Sequence, residues 1–145
     1  MAVLKRKASA RWQGDLKNGS GTLTLPQSGV FSAQNYSFHT RFGEEKGTNP
    51  EELLAAAHAG CFAMALSLVL QEAGHVAERL DAEAVAHLAT GDGPPTISKV
   101  VLTLRGKVPG LDAAEFARHA DNAKRNCVIS RALSVPVELD AALED

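Results

Sequence analysis

A chain of 145 residues, 45% apolar and carrying a formal net charge of −2, is long enough to bury a real core and is expected to form a single domain over 1–145. No basic stripe interleaved with aromatics is present, which argues against a nucleic-acid partner. The basic opening Met1 to Lys7 is not followed by an apolar run, so it does not read as a secretory signal and a cytoplasmic location is expected.

The first third of the chain reads as strands. Lys7 to Trp12 alternates, Asp15 to Gly21 carries turn residues, and Gly21 to Leu25 alternates again before Pro26 to Gly29 interrupts it. A third strand is expected over 36–42, with Tyr36, Phe38, Thr40 and Phe42 on one face and Ser37, His39 and Arg41 on the other. Strands this closely spaced suggest a meander.

After a charged loop from Gly43 to Gly47, the start signals of a helix are unusually complete. Asn49 suits the cap, Pro50 the first helical position, and Glu52 the position from which a capping-box acid reaches back. Glu51 has no such duty. The helix is expected to run to about Ala73, with Gly74 as its stop. No formal charge lies between Leu53 and Leu70. Its alanine richness, Gly60, Ser67 and His58 favour a buried central helix over a membrane span. A helix apolar on every side needs more cover than one small chain supplies, which favours an obligate homodimer.

Two strands are expected next, over 82–90 and 97–108, joined at Gly91 to Pro95. Asp112 is placed to cap a helix running to about Asn126, with Ala113, Phe116, Ala117 and Ala120 on its inner face. A short helical turn over 129–133 and a closing strand over 134–141, with Pro136 at an edge or strand start, complete an antiparallel-rich α+β domain.

The residues with chemical potential are few. Cys61 lies about three turns into the apolar helix, where the plain reading is a buried, inert small hydrophobe. A reactive thiol there needs a nearby cation, because burial raises a thiol's pKa and the helix dipole fades within its first turn. Arg41 is the candidate cation and Glu51 its natural bidentate partner. The ordinary alternatives are a solvated arginine and a first-turn acid. Cys127 follows the polar Lys124-Arg125-Asn126 and reads as the more exposed of the two cysteines. One buried and one accessible cysteine suits an attacking and a resolving thiol, and equally suits two unrelated thiols. His58, one turn before Cys61, could begin a zinc site with it, but no further Cys or His cluster completes a ligand set, so His58 is read as a packed core histidine. No metal and no cofactor is expected.

Longer stretches carry a resemblance. Thr40-Arg41-Phe42, Glu45 to Leu53, Ala56 to Ser67 and Ala123 to Ser130 resemble the OsmC (osmotically inducible) family of proteins. Trp12 to Asp15 and Pro109 to Asp112 fit as well. One departure is Val128, where the family often has proline after the cysteine. The Gly47-Thr48-Asn49-Pro50 sequence and the expected strand-end position of Arg41 favour the OsmC branch over its organic hydroperoxide resistance sister.

The resemblance implies an intertwined homodimer, antiparallel sheets wrapped around long central helices, with active sites at the interface. It implies a thiol-dependent peroxidase of oxidative and osmotic stress defence, an oxidoreductase reducing organic hydroperoxides and hydrogen peroxide. It implies Cys61 as the peroxidatic residue, Cys127 as the resolving one, and Arg41 with Glu51 as the activating pair. The partners implied are a peroxide substrate and an external dithiol reductant that reopens a Cys61–Cys127 disulfide. Apolar side chains near Cys61, such as Phe62 and Met64, are candidates for contact with an alkyl group. The alternative from another class is a non-catalytic small-molecule-binding or stress-response protein on the same fold.

Overall fold

The computed structural model describes residues 1–144, and the chain divides into two compact units, Met1–Pro50 and the portion from Glu51 onward. In the first unit β1 (Ser9–Gln13), β2 (Ser20–Thr24) and β3 (Gln34–Tyr36) form an antiparallel meander in the order β1-β2-β3. Trp12 and Tyr36 both stand opposite Gly21, their ring centroids 5.6 Å apart. A Cβ on Gly21 would lie 2.5 Å from the Tyr36 ring and 2.6 Å from Trp12, so this close approach requires glycine.

The strand expected over 36–42 is corrected. The chain leaves β3 after Tyr36 and enters a short helix, α1 (Phe38–Phe42), so Arg41 is helical rather than at a strand end. Ser37 explains the switch. Its hydroxyl accepts from the Thr40 N–H at 3.2 Å, while its own N–H donates to the Thr40 hydroxyl at 2.9 Å, a reciprocal cap. Phe38 and Phe42 satisfy a period of two, but four residues apart they also pair on a helix, with ring centroids 5.1 Å apart.

In the second unit, α2 (Pro50–Glu72) carries Glu51 and Glu52 in its first turn, where the dipole favours acids. It ends as the sequence indicates. Gly74, at φ +88°, donates to Gln71 O at 3.0 Å, and the His75 N–H reaches Leu70 O at 2.9 Å. This is a Schellman ending, which favours glycine at the left-handed position.

β4 (Arg79–Ala89) pairs antiparallel with β5 (Thr96–Lys107), and β5 pairs parallel with β6 (Val137–Leu143). The crossover to that parallel strand passes through α3 (Ala113–Asn126) and α4 (Val128–Ala132), since a parallel neighbour cannot be reached by a tight turn. The sheet is therefore mixed, with one antiparallel and one parallel pair. Pro136 lies just before β6, an edge strand, as its missing N–H requires. The register puts Val100 opposite Ala86 and Val137, Leu102 opposite Ala84 and Leu139, and Leu104 opposite Ala82 and Ala141. That apolar face forms one core with Phe62, Leu66 and Leu70 of α2 and Phe116, Ala120 and Ala123 of α3. Each large side chain fully buried there contributes about 1.5–3 kcal/mol.

Two details of the helices differ from expectation. Asp112 caps α3 by accepting from the Glu115 N–H at 2.9 Å, but the buried face is Phe116, Ala120 and Ala123, while Ala113 and Ala117 are exposed. Ala117 lies about 100° round the helix from Phe116, and Ala113 is the first residue of α3. In α2 a single chain buries only His58, Phe62, Leu66 and Leu70, again at intervals of four. Met64 and Leu68 on the same helix remain 77% and 54% exposed. By length and composition α2 is apolar enough to cross a membrane, but its buried stripe belongs to the core described above.

Candidate functional site

Cys61 and Cys127 meet in the second unit. Cys61 stands on α2 beside Phe62, whose ring enters the core and so fixes which way the helix faces. Cys127 occupies the corner between α3 and α4. It closes α3 by donating its N–H to Ala123 O at 2.9 Å, and it is the residue from which α4 starts. The two sulfur atoms lie 3.1 Å apart and both thiols are free, a reduced pair about 1 Å beyond bonding distance.

The expected exposures are reversed. Cys127 is buried, at 1% exposure, and Cys61 is only partly so. The polar run before Cys127 misleads because those side chains lie on the outer face of α3. Lys124 and Arg125 reach Asp121 at 3.6 and 3.2 Å, while Ala123 and Cys127, four apart, face the core.

The start of α4 supplies the site with donors. Its first N–H groups have no carbonyl partner within the helix and turn toward the sulfurs. Val128 and Ile129 serve Cys61, and Ile129 and Ser130 serve Cys127. For Cys61 burial dominates, and with the neighbouring Cys127 it pushes the thiol up despite those two donors. For Cys127 burial also pushes up, but the Ser130 N–H, the Cys61 thiol, the Ser130 hydroxyl and the Ile129 N–H together bring it below the ordinary thiol value. Val128 matters here. Proline at the first helical position would fit the backbone but would remove one donor to Cys61.

His58, one turn before Cys61, is wholly buried, and its Nε2 lies 2.7 Å from the Ser130 hydroxyl. Its Nδ1 has no partner. Burial holds the imidazole below its usual pKa, so it is neutral at pH 7. Among the described residues no three His, Cys, Asp or Glu side chains gather as a metal ion would need. Ser130 and the backbone amides of 128–130 are functional groups that a residue-type search does not single out. The available signal is a cysteine immediately before a short helical turn, which aims that turn's unused N–H groups at its sulfur.

The remaining candidates are placed within their own units. Arg41 is exposed on α1, its guanidinium carbon 5.1 Å from the Phe42 ring centroid. It borders a cavity of about 240 Å³ walled by Trp12, Leu16, Tyr36, Phe38 and Phe42. Glu51 is half-buried in the first turn of α2. Phe62, expected near an alkyl group, is fully buried in the core and leaves no surface for one.

The chain is similar to several known proteins. The family model described as OsmC-like protein matches residues 43–140. The Peroxiredoxin OsmC of Escherichia coli (strain K12) is 45% identical over 142 residues, spanning 98% of this chain and 99% of that one. The Organic hydroperoxide resistance protein of Xanthomonas axonopodis pv. citri is 35% identical over 98 residues, 67% of each. Among solved structures, an OsmC-like protein of Vibrio cholerae superposes with a TM-score of 0.74 at 17% identity, over 96% of this chain and 99% of that one, a likeness of fold. This chain belongs to the OsmC-like family and has its α+β fold.

Proposed function

We propose that the protein is a thiol-dependent peroxidase that reduces organic hydroperoxides, and hydrogen peroxide, in defence against oxidative stress. The observation carrying this reading is the free Cys61–Cys127 pair, 3.1 Å apart, in a chain 45% identical to a named peroxiredoxin. The name of the Xanthomonas relative, organic hydroperoxide resistance, supports the substrate class. So does the aromatic cavity beside Arg41, which suits an apolar substituent.

Cys61 is the peroxidatic residue. Its thiolate attacks the peroxide oxygen, releasing an alcohol or water and leaving a sulfenic acid. Cys127 condenses with that acid, expelling water and forming the disulfide. An external dithiol then restores both thiols by exchange. Arg41 supplies the cation that offsets the burial of Cys61, and Glu51 orients Arg41. The cycle needs no metal or organic cofactor.

The working form is a single 1–145 domain assembled as a cytoplasmic homodimer. The exposed Met64 and Leu68 on an otherwise apolar helix support a second copy as cover. Arg41 of one chain serves Cys61 of the other. Co-refolding Arg41→Ala with Cys61→Ser chains regains activity if Arg41 acts across the interface. Purified protein should consume a dithiol only when peroxide is added, and faster with a bulky organic hydroperoxide than with hydrogen peroxide. Absence of peroxide-dependent consumption would leave the non-catalytic alternative.

A further inference from the structure

His58 and Ser130 make a polar contact inside an apolar core, and it continues to the sulfurs. His58 Nε2 lies 2.7 Å from Ser130 Oγ, Ser130 is the third residue of the helix that Cys127 starts and so stands one turn from that cysteine, and Cys127 Sγ lies 3.1 Å from Cys61 Sγ. Four side chains thus form one line, His58–Ser130–Cys127–Cys61, drawn from α2, α4, the α3–α4 corner and α2 again.

The histidine sets the direction of these bonds. A neutral imidazole carries one N–H, and here Nδ1 is buried without a partner. An orphaned buried N–H is rarer than an under-used acceptor, so the proton belongs on Nε2. His58 then donates to Ser130 Oγ, and the serine proton is left to point at Cys127 Sγ. Donors in series polarise one another, which strengthens the last bond. The cations on the two helices that flank Cys127 are turned elsewhere. Lys124 and Arg125 on α3 are engaged with Asp121, and Arg131 on α4 is exposed.

We propose that His58 and Ser130 form a buried donor chain that stabilises the Cys127 sulfur as an anion, making Cys127 the attacking sulfur when the disulfide closes and the leaving sulfur when it is reopened. The place of these steps in a cycle rests on the peroxidase reading. In closure, Cys127 S⁻ attacks the sulfenic sulfur of Cys61, the S–O bond breaks, and the hydroxide takes a proton and leaves as water. In reopening, a thiolate of the external dithiol attacks Cys61, the more accessible sulfur, forms a mixed disulfide there, and releases Cys127 as thiolate. The second thiol of the reductant then frees Cys61. In this arrangement Ser130 acts on the reacting sulfur, and His58 is a positioning residue acting through it.

The test titrates Cys127 by thiolate absorbance in reduced Cys61→Ser protein. Ser130→Ala in that background should move the titration upward, toward an ordinary thiol, and Ser130→Thr should restore it. His58→Phe should move it in the same direction. If His58→Phe does not fold, the Ser130 pair still decides. In chains retaining both cysteines, Ser130→Ala should slow disulfide closure about tenfold at pH 7, since a hydrogen bond to a charged group is worth at least that much. Glutathione added to the oxidised protein should be found on Cys61 by peptide mass mapping. Superposable titrations with and without the Ser130 hydroxyl, or glutathione on Cys127, overturn the proposal. The titration uses no peroxide, so its failure is distinct from a failure of the peroxidase reading.

Discussion

Cys61 and Cys127 lie 66 positions apart in sequence, yet their sulfurs stand 3.1 Å apart, joined through the turn that ends α3 and starts α4. Such a pair can close without rearranging the core. Cys127→Ser should therefore preserve the first peroxide reduction and abolish the disulfide, leaving Cys61 as a sulfenic acid that oxidises further when peroxide is in excess. Intact-mass spectrometry after one equivalent of peroxide checks this. A Cys61 left unmodified in this variant after one equivalent of peroxide would mean that Cys127 is not simply the resolving thiol.

Burial pushes the Cys61 thiol up, and the proposed role of Arg41 is to oppose that push. Arg41→Ala should move the pH–rate profile of peroxide reduction to more alkaline pH, because the reactive thiolate then forms only at higher pH. Arg41→Lys should recover part of the loss, since it keeps the charge but not the planar fork. A profile unchanged in Arg41→Ala would remove Arg41 from the mechanism.

Val128 offers a milder perturbation. Val128→Pro keeps the first helical position of α4 well occupied but deletes an N–H directed at Cys61. A small upward shift of the Cys61 titration is expected, with thermal stability nearly unchanged. A downward shift would contradict the geometry described for that turn.

His58 links stability to pH. Burial holds its folded pKa below the ordinary histidine value of about 6.5, so on acidification the unfolded chain takes up a proton that the folded chain refuses. The neutral-histidine contribution is present above pH 6.5 and is lost as the pH falls below it. Urea unfolding at pH 7 and pH 5 should show wild type losing more stability than His58→Gln over that interval. Equal losses would mean that His58 is protonated in the folded state.

The elements whose signals are local were legible in the sequence. Pro50 and Gly74 bound α2, Asp112 caps α3, and the turn at Gly91 to Pro95 separates β4 from β5. The stretch 36–42 was not, because its aromatics satisfy two periods at once and only the Ser37–Thr40 cap decides between them. The parallel pairing of β6 was hidden as well, since it depends on where the α3–α4 crossover delivers the chain. Both cysteines were legible as chemistry, but their relative exposure was not. Polar neighbours in sequence do not report which face of α3 a residue occupies, and Cys127 continues the buried stripe of Ala120 and Ala123.

The most direct measurement counts thiols and product together. Reduced protein is mixed with one equivalent of an organic hydroperoxide, and free thiols, the alcohol formed and the disulfide are quantified by thiol titration, chromatography and peptide mapping. The account expects one alcohol and the loss of both thiols per chain, with Cys61 joined to Cys127, and none of these in a folded Cys61→Ser variant, whose hydroxyl is a far weaker nucleophile at neutral pH. Both thiols intact after the peroxide is added, or alcohol formed equally by Cys61→Ser, would contradict it.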